Sequence, residues 1–270
     1  MSVTVTDLHV YPIKSCRGIA QDSAVLAPTG LTDDRHWMLV RPNGRFITQR
    51  EHPRMALIAT ALNGGLTLNA PGMPELDVSR SAGGESRAVT VWKFEGRGID
   101  CGEVAAAWVS KYLETPLRLV MFDVSVPRVC SPEWAGDTRA ITEFSDGYPI
   151  LVISRASLAE LNSRLPKALP MERFRPNVVI DGVDAYDEDR MHELRVGPVT
   201  LRIVKPCMRC SITTTDQQRG AVDGVEPLKT LKEYRYDSAL RGVAFGQNVI
   251  VVSGVGETLS VGQTFEVTWK

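Results

Sequence analysis

Short runs of alternating or compact apolar residues, closed off by turn-forming residues, recur along most of this chain and constrain its fold more than any other feature. Val3-Thr4-Val5-Thr6 and Gly65-Leu66-Thr67-Leu68-Asn69 alternate with the two-residue period of a strand that turns one face to a core. Trp37-Met38-Leu39-Val40 and Asn248 to Ser253 are compact apolar runs of strand length. Three segments have helical spacing instead. Asp100 to Leu113 opens on an acidic residue with Glu103 three positions later, then stacks Val104, Trp108, Tyr112 and Ala105, Val109, Leu113 in two rows. Ser157 to Leu165 offers Leu158, Leu161 and Leu165, with Glu160 in the capping position, and Pro227 to Tyr236 begins with a proline suited to a first helical turn. Strands with a few helices between them, and no regular strand–helix alternation, predict a β-rich α+β fold rather than a doubly wound sheet.

The chain has 270 residues, enough for two units that share an interface. Leu119 to Arg139 holds Pro127, Pro132 and scattered charges without clear periodicity, so the boundary is expected there, giving units 1–120 and 121–270. Basic and acidic residues nearly cancel, at 31 and 32. A formal net charge of −1 leaves no broad basic field to grip nucleic acid or an anionic membrane. The N-terminal segment lacks the basic start and apolar run of a secretory signal, and no stretch approaches the ~18 consecutive apolar residues of a membrane helix. A cytoplasmic chain with no membrane span is therefore expected.

Five cysteines is an odd number in a chain too large to need disulfide staples: Cys16, Cys101 and Cys130 stand alone, and Cys207 and Cys210 form a C-x-x-C pair. Thiolates are soft ligands, and the nearby cations Lys205 and Arg209 would favour the ionised form. Structural zinc usually takes four protein ligands, but there is no second pair, and His9, His36, His52 and His192 are scattered. A thioredoxin-like dithiol would open a helix, whereas Ser211-Ile212-Thr213-Thr214-Thr215 reads as strand. Taken alone, the pair does not outweigh the plainer reading of one cysteine as a buried small hydrophobe and the other as incidental.

More motifs accompany the pair. Tyr11-Pro12-Ile13-Lys14-Ser15-Cys16, Asp34-Arg35-His36-Trp37, Asp100-Cys101-Gly102-Glu103, Phe174-Arg175-Pro176-Asn177, Lys205-Pro206-Cys207-Met208-Arg209-Cys210 and Phe245-Gly246-Gln247 stand in order from about Val10 to the C-terminus. So does the run Leu158 to Arg164. Together they resemble the MOSC superfamily with its N-terminal β-barrel companion, and within it the mitochondrial and bacterial amidoxime-reducing proteins. The resemblance implies an N-terminal β-barrel-like domain followed by a MOSC β-barrel domain with a few helices.

It also implies a molybdenum cofactor (molybdenum-molybdopterin), with Cys210 as the protein's metal ligand. The residues implied to line pterin and phosphate are Lys14, Ser15, Arg35, Arg175, Asn177 and Arg209. Planar arginine forks and a lysine point charge suit such an anion, although a lone Arg or Lys is more often a solvated surface charge. Asp146, in Phe144-Ser145-Asp146-Gly147-Tyr148-Pro149, resembles a loop beside the metal and would position substrate or relay protons. An Asp before Gly is equally a turn former. The chain departs from the pattern at Gly147, Tyr148, Met208 and Asn248, which bear on hydrogen bonds to the cofactor and on pocket shape.

Two functions follow as expectations. One is an oxidoreductase reducing N-hydroxylated substrates such as amidoximes, hydroxylamines and hydroxylamino bases. The other is a non-catalytic carrier of molybdenum cofactor or sulfur. The C-x₄-C-x₂-C array of a plant-type iron–sulfur domain is absent from the sequence. A reductase of this kind is therefore expected to draw electrons from a separate ferredoxin, flavin reductase or cytochrome b5-like protein.

Overall fold

A computed structural model describes residues 2–80 and 83–270. Seven strands close into a barrel, running in spatial order Ile150–Ser154, Val178–Asp181, Ser2–Val10, Thr264–Trp269, Met191–Val196, Val199–Arg209 and Gly242–Ser253. The last pairs back to the first, Ile150 opposite Val249, so the ring has no free edge. All its neighbours are antiparallel except Ile150–Ser154 beside Val178–Asp181. A parallel pair cannot be joined by a tight turn, and the helix Arg155–Arg164 lies in the crossover.

The barrel core follows from strand alternation, with one informative break. In Ser2–Val10 the side chains of Val3, Val5, Leu8 and Val10 are buried. The inward set shifts phase between Val5 and Leu8 because the register slips between Val5 and Asp7. Such a bulge inserts an extra residue and restores the apolar face beyond it. These side chains meet Val178, Ile180, Leu194, Leu201, Val249 and Phe265 in one cluster.

The second unit pairs Trp37–Val40, Arg118–Phe122, Phe94–Asp100 and Ser86–Val91 in a four-stranded antiparallel sheet. Ala59–Ala61, Leu66–Asn69 and Leu76–Val78 form a three-stranded companion. The unbroken apolar run Trp37–Val40 is explained by burial on both faces: Trp37 and Leu39 enter one cluster, Met38 and Val40 another. Helix Gly102–Leu113 covers the first cluster with Ala105, Trp108, Val109, Tyr112 and Leu113. Among the described residues, no helix is long and apolar enough to cross a membrane.

The β-rich α+β reading holds, and several details differ. Asp100 accepts from the Gly102 N–H at 2.8 Å from just outside the helix, while Glu103 pairs with Arg118 at 2.9 Å instead of closing a capping box. The helix read as starting at Ser157 starts at Arg155, capped by Ser154, whose Oγ accepts from the Ser157 N–H at 3.0 Å. Glu160 turns aside to Arg164 and Tyr186. The third helix runs Leu228–Tyr234, with Pro227 just before it.

Ser211–Thr214 is a 3-10 turn, not strand. The hydroxyls of Thr213 and Thr214 donate back to the Cys210 and Ser211 carbonyls at 2.9 and 2.8 Å, offering the backbone a local alternative to a ladder. The aperiodic stretch after Leu119 begins inside a central strand, Arg118–Phe122, and includes the short helix Pro132–Ala135. A cut after residue 120 would also separate Ser2–Val10 from both of its barrel neighbours, Val178–Asp181 and Thr264–Trp269.

Candidate functional site

A cleft lies where the two units meet, and segments far apart in sequence converge on it. Lys14 and Ser15 come from the turn after the first barrel strand, Arg35 from the turn before Trp37–Val40, and Asp146 from the loop before Ile150–Ser154. Arg175 and Asn177 precede Val178–Asp181, and Arg209 and Cys210 end the strand Val199–Arg209. All eight candidate residues therefore line one cavity. Lys205 does not, and its ammonium sits 4.9 Å over the Trp134 ring instead.

Backbone conformation marks the same place. Ser15, Arg35 and Arg175 have φ of 66°, 51° and 57°, in the left-handed region that glycine tolerates and side chains resist. Each such residue costs on the order of 1–3 kcal/mol, so its surroundings must hold it there.

Much of the holding is visible. Asn177 Oδ1 accepts from the Leu151 N–H at 3.1 Å and from Arg35 at 3.0 Å, while its Nδ2 donates to the His9 carbonyl at 3.2 Å. Its amide thus aims Arg35 and ties two barrel strands together. Arg35 also pairs with buried Asp34 and donates to the Arg175 carbonyl. The Arg35 and Arg175 guanidinium carbons each lie 4.2 Å from the Tyr11 ring, in cation–π contact. Lys14, 5% exposed, donates to the Phe144 carbonyl at 2.8 Å and to Asp146 Oδ1 at 2.6 Å.

The charges do not cancel. Lys14 and Arg35 have carboxylate partners, but among the described residues none pairs with Arg175 or Arg209. Arg175 Nη2 and Arg209 Nε are buried with no hydrogen-bond partner among the described residues. An unpaired buried donor is costly, and burial pulls the Arg175 guanidinium down to about 10. Such a pair of donors is what an anionic ligand would satisfy.

Burial works only weakly to raise the Asp146 carboxyl, because its side chain is 66% exposed. The Lys14 ammonium and the Trp92 indole N–H, at 3.0 Å, outweigh it and hold that carboxyl below the usual range. The two thiols differ in setting. Burial pushes the Cys207 thiol up, partly offset by Arg209, whose Nη1 donates to its sulfur at 3.0 Å. Cys210 sits at the strand-to-turn junction on the cleft wall. Among the described residues no cluster of three or more His, Cys, Asp or Glu could hold a metal by itself. A metal at Cys210 would need its other ligands from a bound group.

Sequence reading missed two residues here. Buried Arg128 donates to the carbonyls of Glu143 and Ser145 at 2.8 and 2.6 Å and of Asp146 at 3.2 Å, pinning the loop that presents Asp146. A lone arginine in an aperiodic stretch carried no signal. Trp92 did carry one, a bulky residue in the hairpin Val91-Trp92-Lys93-Phe94 where a turn former is usual. The four departures, Gly147, Tyr148, Met208 and Asn248, all lie on the cleft wall.

Comparison with known proteins bears on most of the chain. Residues 2–116 match the MOSC N-terminal beta barrel domain, and residues 140–266 match the MOSC domain. Mitochondrial amidoxime-reducing component 1 of Homo sapiens is 38% identical over 243 residues, covering 86% of this chain and 72% of that protein. The component 1 of Mus musculus is 39% identical over 242 residues, covering 86% and 71%. Mitochondrial amidoxime reducing component 2 of Bos taurus is 36% identical over 242 residues, covering 86% and 72%.

Proposed function

Because the chain belongs to the family of the amidoxime-reducing components, built from a MOSC N-terminal beta barrel domain and a MOSC domain, we propose that it is a molybdenum-cofactor-dependent reductase of N-hydroxylated compounds. One observation carries the reading. The Cys210 thiol shares a cleft with Lys14, Arg35, Arg175 and Arg209, and two of those guanidinium groups have buried donors left unpaired. That donor set fits a phosphate-bearing, electron-rich ligand and offers the metal one soft sulfur.

In this reading Cys210 is the protein's ligand, and the four cations with Ser15 hold pterin and phosphate. When bound, the cofactor supplies the two-electron redox chemistry. Reducing an amidoxime to an amidine takes two electrons and two protons and releases water. The chain's part is to orient the N–OH group, exclude competing water and deliver protons. Asp146, held ionised by Lys14, accepts a hydrogen bond from the substrate's N–H, and the protons come from water. Asn177 is a positioning residue that acts through Arg35.

Electrons come from a separate protein, a ferredoxin, a flavin reductase or a cytochrome b5-like protein. The relatives' own name calls them components. A cytoplasmic setting belongs to the same proposal, since three isolated cysteines and one close pair suit a reducing compartment.

The test is reduction of benzamidoxime by the cofactor-loaded chain with an artificial reductant, then with NAD(P)H alone. Steady turnover with the artificial reductant and none with the nicotinamide alone is expected. Retention of cofactor without turnover would instead favour the carrier role.

A further inference from the structure

Trp92 stands at the lip of the cleft in a conformation its side chain does not favour. It occupies the first central position of the two-residue loop between the strands Ser86–Val91 and Phe94–Asp100, where Val91 pairs with Phe94. Its φ is 57°, and at such a position glycine is the inexpensive choice. A large aromatic side chain kept in the left-handed region, and kept 50% exposed, points from backbone strain towards a use.

Three contacts fix the ring. The Arg50 guanidinium lies 4.3 Å over it, Phe46 meets it edge-on at 5.1 Å, and the indole N–H is bonded to Asp146 Oδ1 at 3.0 Å. Asp146 is itself part of the cleft wall. The ring is therefore locked on one side, tethered to the cleft by its polar edge, and open over the remaining surface. A rigid aromatic plane, already ordered, is suited to stack a flat group, because little side-chain entropy is left to lose.

We propose that Trp92 is a specificity-determining residue that stacks on the planar aromatic part of an N-hydroxylated substrate while its N–OH group reaches into the cleft. The proposal rests on the reductase reading above and names the substrate class within it: aryl amidoximes and N-hydroxylated heteroaromatic bases over their alkyl counterparts. Arg50 on the covered face and Asp146 at the N–H keep the plane from rotating as the substrate arrives.

The experiment compares cofactor-loaded wild type, Trp92→Ala and Trp92→Phe with benzamidoxime and acetamidoxime. An artificial reductant removes any dependence on a protein donor, calorimetric titration gives affinities, and thermal unfolding confirms that each variant is folded. Stacking of this kind leads us to expect that Trp92→Ala lowers the aryl-over-alkyl preference in kcat/KM about tenfold, through KM and the dissociation constant, not kcat. Trp92→Phe, which keeps an aromatic face, should recover most of it. An equal fall for both substrates would assign Trp92 a structural role and overturn the proposal, as would no change for either. If loaded wild type reduces neither compound, the reductase reading fails. The titration still judges Trp92, and absent or equal benzamidoxime binding by wild type and Trp92→Ala overturns it.

Discussion

At the scale of single residues, the site is defined by polar atoms left without partners as much as by those that have them. Arg175 Nη2 has no acceptor among the described residues, whereas Asn177 is engaged with His9, Leu151 and Arg35. The two should respond differently to truncation. Arg175→Met removes a buried charge without stranding an ion-pair partner, so thermal unfolding should change little. Loss of one charge-assisted contact, worth roughly 1.5–3 kcal/mol, should weaken cofactor retention by about tenfold or more. Molybdenum per chain after dialysis, read beside the melting temperature, checks this. Unchanged retention would mean that Arg175 does not face the ligand. Arg175 was legible in the sequence only because it sits in a motif. Arg128, with no such neighbours, was not, since a guanidinium bonded to three loop carbonyls leaves no periodic trace.

At the scale of elements, the sequence told strands from helices well and their ends poorly. Strand periodicity is imposed by the core, so Val3 and Val5 announce themselves, and Trp37–Val40 is unbroken because both its faces are covered. Helix starts depend on whichever group reaches the first N–H donors, and here that group is held in place by a residue distant in sequence. The helix Arg155–Arg164 starts on Ser154. Glu188, 0% exposed, accepts from the Ser154 N–H at 3.2 Å and the Ser157 hydroxyl at 2.7 Å, while its Oε2 is buried with no partner among the described residues.

Burial pushes the Glu188 carboxyl up, with the Ser157 and Ser154 bonds pulling the other way. The folded chain then keeps this proton at pH values where the unfolded chain has released it. Folding is unpenalised in acid and loses stability as pH rises above the ordinary glutamate value of about 4.3, up to the raised folded value. Glu188→Gln keeps an acceptor and cannot ionise. Its melting temperature relative to wild type should therefore climb as pH rises above the ordinary glutamate value of about 4.3. A difference that stays flat or falls over that range would show that Glu188 is not buried as a neutral acid.

At the scale of the whole molecule, the chain starts in the barrel, leaves to build the second unit, and returns, so the cleft is assembled only when both units are folded. Lys14 and Arg35 belong to stretches before residue 40, Arg175 and Cys210 to stretches more than a hundred residues later. This meeting could not be seen in any one segment, although cations within collinear motifs implied it. Everything proposed for function depends on a metal joined to the chain through Cys210 and not Cys207, whose thiol is raised by burial and bonded by Arg209. The most direct measurement is molybdenum K-edge X-ray absorption of the cofactor-loaded chain beside Cys210→Ser and Cys207→Ser. The account predicts one sulfur neighbour fewer in Cys210→Ser and an unchanged shell in Cys207→Ser. An unchanged shell in Cys210→Ser, or a sulfur lost in Cys207→Ser, would contradict it.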